Sequence, residues 1–209
     1  MLRYKLLVLI VTIALLSPQS LAEAKIQYRP TPLIPDVKEN KKINAKENKN
    51  VKIIDIAKTY GVNPEYLYYI LEVEKEFSLH QYSLLALIAI ESGFKPQTHM
   101  DGGSLSYSTT QMKLPTAKTA YTAMTEYYKI DVPYPTHKLL NEDKYYATIL
   151  AGGYLRYLND VYKDDDYMET YTAYNWGVGG RMIFYNQHGH FKSPYATKAL
   201  SIRKEFLEE

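Results

Sequence analysis

One carboxylate in this sequence sits where its charge is hard to keep. Leu84-Leu85-Ala86-Leu87-Ile88-Ala89-Ile90 is an unbroken apolar run leading straight into Glu91, and Gly93 ends the helix that the run predicts. Burial in an apolar wall disfavours the ionised form, and so does the negative end of a helix dipole. A carboxyl kept protonated near neutral pH can give its proton to a leaving oxygen, the task of a general acid. A glutamate at a helix end can equally snorkel to solvent, and the local pattern leaves both readings open.

Further blocks follow in order. Gln111-Met112-Lys113-Leu114-Pro115-Thr116-Ala117 sets a glutamine before a short apolar stretch and a proline that can start a helix. Ala151-Gly152-Gly153-Tyr154-Leu155-Arg156-Tyr157-Leu158 reads as the middle of a long helix, and Ala173-Tyr174-Asn175-Trp176-Gly177 has the form alanine-tyrosine-asparagine-any-glycine. With Glu91-Ser92-Gly93-Phe94-Lys95-Pro96, they resemble the motifs of the lytic transglycosylases of goose-type lysozyme-like fold (soluble lytic transglycosylase catalytic domain, similar to glycoside hydrolase family 23). The resemblance spans residues 79 to 190.

It implies a single all-α lysozyme-like domain that cleaves the β-1,4 bond between N-acetylmuramic acid and N-acetylglucosamine in peptidoglycan. Glycosidases commonly need two carboxylates. This family is thought to use one, so Glu91 would act as acid and then as base while the sugar closes to a 1,6-anhydro product. Tyr174 would hydrogen-bond or orient Glu91, with a plain core tyrosine as the alternative. Ser92 and Gln111 would contact the sugar, against a helix-end and a loop-anchoring role; Asn175 fits the motif's turn better than a substrate contact. No cofactor or metal is implied, and the partner is the peptidoglycan glycan strand. The chain departs from the family at the second motif. Ser108-Thr109-Thr110 stand where glycine-leucine-methionine usually precede the glutamine, which predicts a wetter groove floor and altered subsite preference.

Two rivals stay open: a muramidase that uses Asp101 or another base to activate water, and a non-catalytic glycan-binding or scaffold module of an envelope or secretion assembly. Asp101 stands before Gly102 and Gly103, where an aspartate more often caps a turn. His188-Gly189-His190 offers two nitrogen ligands without a cysteine or paired acid, an incomplete metal set better read as a surface turn. The 22 tyrosines are roughly three times ordinary usage. Most recur at helical spacing, as in Tyr66 and Tyr69 or Tyr154 and Tyr157, and would pack with the hydroxyl outward.

Helices must position these residues. Asn63-Pro64-Glu65 opens one, and the apolar run forms the next. Pro115 starts a third through Tyr128, and Asn141-Glu142-Asp143 caps a long fourth to about Tyr162. Asp166 caps a short one, and Ser193-Pro194 starts the last, ending near Leu207. No stretch alternates with period two between hairpin turns, so sheet content should be low. Ile56-Ala57-Lys58-Thr59-Tyr60-Gly61-Val62-Asn63 looks like part of a lysin motif, but the strands that module needs are not legible, and a helical lead-in is the better reading.

The N-terminal region is different in kind. Arg3 and Lys5, the apolar run Leu6–Leu16, Ser17-Pro18 and the small residues to Ala24 have the layout of a secretory signal peptide over 1–22. A run of 11 residues is short of the about 20 needed to span a bilayer. Residues 23–50 are polar and proline-bearing, the composition of a disordered tether, followed by the helical lead-in at 51–78 and the catalytic domain at 79–209. Export to the periplasm, or outside the cell, is the expectation. A chain starting at Glu23 would carry 23 basic and 23 acidic groups, with no general pull toward nucleic acid. The absence of cysteine excludes disulfides, a thiol nucleophile, zinc-thiolate sites and a lipid-anchored cysteine, so the expected mature form has no stable membrane anchor.

Overall fold

The computed structural model describes residues 44–208, without the side chains of 44–50 and of Asp101. The signal-peptide segment and the tether up to residue 43 lie outside the described residues. Eight helices and a small sheet are described: α1 (Asn44–Tyr60), α2 (Pro64–Glu76), α3 (Ser83–Ser92), β1 (His99–Asp101), β2 (Ser104–Tyr107), β3 (Met112–Lys113), α4 (Leu114–Thr122), α5 (His137–Glu142), α6 (Lys144–Tyr162), α7 (Met168–His188) and α8 (Pro194–Glu208). The fold is therefore mostly helical with one three-stranded sheet. No helix among the described residues is long and apolar enough to cross a membrane.

Local signals account for most helix starts. Asn63 accepts a hydrogen bond from the Glu65 amide in front of α2, and Asp143 accepts from Tyr145 and Tyr146 in front of α6. Ser193 caps α8 through the amide of Ala196. Four expectations are corrected. α1 begins at Asn44, inside the stretch read as tether, because Ile53, Ile56 and Ala57 are buried and the helix they anchor extends outward. The helix after Pro115 turns π-helical over Ala123–Tyr127, and α5 is a short additional helix. The helix after Asp166 is long: α7 runs 21 residues, with a break at Gly177 (φ 74°, ψ 165°).

The core is organised on α3 and α6. α3 is apolar all round, and Leu84, Leu85, Leu87 and Ile88 are fully buried, as a helix enclosed by its neighbours must be. α2, α6 and α8 pack on it, so the lead-in helices and the rest of the chain share one core from Ile53 to Phe206. Each buried leucine of α3 contributes on the order of 2 kcal/mol. α6 comes unusually close to α2, since a Cβ added at Gly152 would lie 2.5 Å from Val73 Cγ1 and 3.0 Å from Phe77 Cδ2.

The sheet fills the loop between α3 and α4. It is antiparallel in the order β1-β2-β3, with His99 opposite Ser106 and Tyr107 opposite Met112. Gly102 and Gly103, both at positive φ, form the two-residue hairpin turn that joins β1 to β2. The strands are three, four and two residues long, too short for alternation to be read in the sequence.

Candidate active site

Glu91 occupies the last turn of α3, half-buried, and opens on a groove of about 510 Å³. β1 to β3 and α4 contribute His99, Ser106, Met112 and Thr116 to its lining, and α6 and α7 contribute Tyr154, Tyr174 and Trp176. Burial raises the Glu91 carboxyl from 4.5 to about 7, and a hydrogen bond from the Tyr195 hydroxyl, 2.5 Å from Oε1, pulls weakly the other way. The dipole of α3 ends here with its negative pole and disfavours the charge further. Around neutral pH a substantial share of Glu91 therefore stays protonated beside an open groove, the condition for a general acid.

The tyrosine on Glu91 is Tyr195 of α8, 104 residues away in sequence. The expectation placed Tyr174 in that role. Tyr174 instead donates to the carbonyl of Thr110 at 3.2 Å and ties α7 to the loop before β3. It remains a neighbour: burial, and then the Glu91 charge, push its hydroxyl well above the ordinary value. Nothing in the spacing of the blocks singles out Tyr195. A tyrosine one residue inside a proline-started helix reads as packing.

The two residues assigned to sugar contact are held by the protein. Ser92 Oγ donates to the carbonyl of Thr109 at 2.7 Å, fastening the end of α3 to the loop. Gln111 lies at φ 47°, a backbone conformation disfavoured for a side-chain-bearing residue. Its amide compensates. Nε2 donates to the carbonyls of Gln97 at 2.9 Å and Ser108 at 2.7 Å, while Oε1 accepts from Ser106 at 2.9 Å. Both N–H bonds are used internally, so Gln111 shapes the groove it lines as a loop anchor. Asn175 is exposed on the groove two residues before the break in α7.

Ser108-Thr109-Thr110 are fully buried, which corrects the expectation of a wet floor. Thr109 and Thr148 clasp the Tyr66 hydroxyl at 2.5 and 2.7 Å, so this segment acts as a buried polar staple between α2 and α6. Asp101 ends β1, and its side chain lies outside the described residues. His188 and His190 are exposed around Gly189, where α7 ends. Among the described residues no group of three or more His, Cys, Asp or Glu is placed to hold a metal ion.

Sequence reasoning also passed over Glu74. It is 3% exposed, on α2, and its two oxygens accept from the amides of Tyr82 (2.8 Å) and Leu85 (2.9 Å) at the start of α3. It caps a helix whose own N-terminal residue, Tyr82, supplies no side-chain acceptor. Its signal in the sequence, Glu72-Val73-Glu74-Lys75-Glu76, looks like a solvated helix face.

No family model, curated protein or solved structure matches this chain.

Proposed function

We propose that this protein is an exported lytic transglycosylase of lysozyme-like helical fold, acting on peptidoglycan in the periplasm without metal or cofactor. The observation that carries the reading is Glu91: a carboxyl raised to about 7 by burial, held at one oxygen by Tyr195, on the floor of an open groove. Among the described residues lining that groove it is the one carboxylate, in keeping with a scheme that uses a single acid.

In that scheme protonated Glu91 gives its proton to the glycosidic oxygen as the bond from C1 of N-acetylmuramic acid breaks. The substrate's 2-acetamido oxygen closes on C1 and stabilises the cation. Glu91, now a carboxylate, takes the proton of the C6 hydroxyl. O6 attacks C1, the acetamido oxygen leaves, and a 1,6-anhydro ring forms. Glu91 ends protonated as it began, and no water is consumed. Tyr195 fixes the rotamer through Oε1, and Oε2 is the atom that exchanges the proton.

Digestion of purified peptidoglycan, followed by mass spectrometry, tests the reading with the wild type beside Glu91→Gln. Anhydro-muropeptides from the wild type alone are expected. Reducing-end products would replace the transglycosylase with a muramidase and direct attention to Asp101. Binding without any product would leave a glycan-binding or scaffold module.

A further inference from the structure

Trp176 is the chain's one tryptophan and fills the position that the alanine-tyrosine-asparagine-any-glycine pattern leaves open. Its indole lines the same groove as Glu91 and is 46% exposed. So large an apolar surface left in water at a concave site signals a missing ligand more strongly than a scattered exposed leucine does. The ring is also held in place. Gly177 breaks α7 directly after it, and the chain then brings the buried Phe184 back against the indole, edge to face at 5.4 Å and 65°. His188 packs against Phe184 with its ring tilted, at 4.4 Å and 37°. Gly180 leaves the room the side chain needs, since a Cβ there would approach Trp176 Cβ to 3.1 Å. An exposed ring fixed in this way loses little freedom when it binds.

We infer that Trp176 is a stacking platform for a β-linked N-acetylhexosamine ring, a subsite beside Glu91 that selects glycan strands by the flat face of the sugar. The inference rests on the reading of the groove as a glycan site. A β-linked pyranose with equatorial substituents presents axial C–H bonds on its faces, made electropositive by the ring oxygens. They match the negative face of an indole. Neutral groups nearby in the lining, Asn175 and Thr116, suit the hydroxyl and acetamido groups at the sugar's edge. An α-linked glucan bends away from a flat platform and lacks the acetamido group.

A single tryptophan makes its own reporter. Full-chain Glu91→Gln, unable to turn over, is titrated with chitotetraose, with maltotetraose as the control, while intrinsic emission is followed. A saturable shift to shorter wavelength with chitotetraose alone is expected. By calorimetry, Trp176→Ala in that background weakens binding about tenfold, and Trp176→Phe recovers part of the loss. In the active chain Trp176→Ala raises KM for soluble murein fragments by a larger factor than it lowers kcat and does not move the pH profile, because stacking holds the sugar in substrate and transition state alike while the proton stays with Glu91. A melting temperature within a few degrees of wild type shows that the variant is folded. Emission that stays put while calorimetry detects binding overturns the inference. So does unchanged affinity in Trp176→Ala, or no binding of chitotetraose at all. Cleavage that ignores Trp176 removes the platform and spares the enzyme. A binding shift in a wild type that never cleaves spares the platform and removes the enzyme.

Discussion

Glu74 and Glu91 stand at the two ends of α3, and burial lifts both carboxyls from 4.5 to about 7. Their surroundings differ in every other respect. Glu74 is sealed at the positive end of the helix dipole, with backbone amides on both oxygens and the positive charge of Arg203 in range. These donors oppose the desolvation without overcoming it. Glu91 lies at the negative end, has one hydrogen bond, and opens on a groove. A raised carboxyl therefore does not by itself mark a catalytic group. Access and spare bonding capacity make a candidate, and of these two carboxyls Glu91 has them.

The sharpest break of this comparison is exchange of function. Glu91→Gln is expected to lower cleavage about a thousandfold or more, the scale of a lost general acid, while the melting temperature stays or rises. Release of soluble muropeptides measures it. If Glu74→Gln, folded, costs as much activity as Glu91→Gln, the division between a structural and a chemical end of α3 fails.

The next effect is on stability. Glu74→Ala strips the amides at the start of α3 of their acceptors and leaves a cavity, at a cost of about 2–4 kcal/mol in urea unfolding. Glu91→Ala should cost clearly less, since only Tyr195 loses a partner.

A pH series sharpens the contrast. Each carboxyl has a folded value of about 7 against 4.5 unfolded, so the folded state favours the protonated form. That stabilising contribution is complete below about 4.5 and is lost as the pH rises through about 7. Unfolding free energy should therefore fall between about pH 4.5 and 7, and the gap between wild type and Glu74→Gln should narrow over that range. On the proposed function the activity has its own limb: cleavage is expected to decline above about pH 7 as Glu91 loses its proton, measured as muropeptide release across pH.

The smallest expected change is at Tyr195. Its hydrogen bond favours ionised Glu91, so Tyr195→Phe moves the alkaline limb of the activity profile upward, with a loss of rate of less than about tenfold. An unmoved limb with lower activity would make Tyr195 a packing residue.

Local chemistry was readable wherever cause and effect lie within one turn of chain. Asn63 and Asp143 accept from amides two or three residues on, and Gly93 takes the left-handed conformation that ends α3. The apolar run into Glu91 carries the burial and the dipole together, so a perturbed acid was one of the two readings open there, and burial in the fold favours it over a glutamate that snorkels to solvent. The small sheet was not, because strands this short leave no period. Nor were the roles of Ser92 and Gln111, since a motif names residue types without saying whether their bonds go to substrate or to backbone.

The sequence by itself determined the helical class, most helix boundaries and the place of Glu91 at the end of an apolar helix. These follow from interactions between neighbours along the chain, with periods and caps that a linear pattern records. The tertiary structure alone decided that Glu74 caps α3 from α2, that Tyr195 rather than Tyr174 reaches Glu91, and that Trp176 is braced open on the groove. Those contacts join residues eight to 104 positions apart. They exist because packing α3 against α2 and α8 brings together side chains that no local spacing relates.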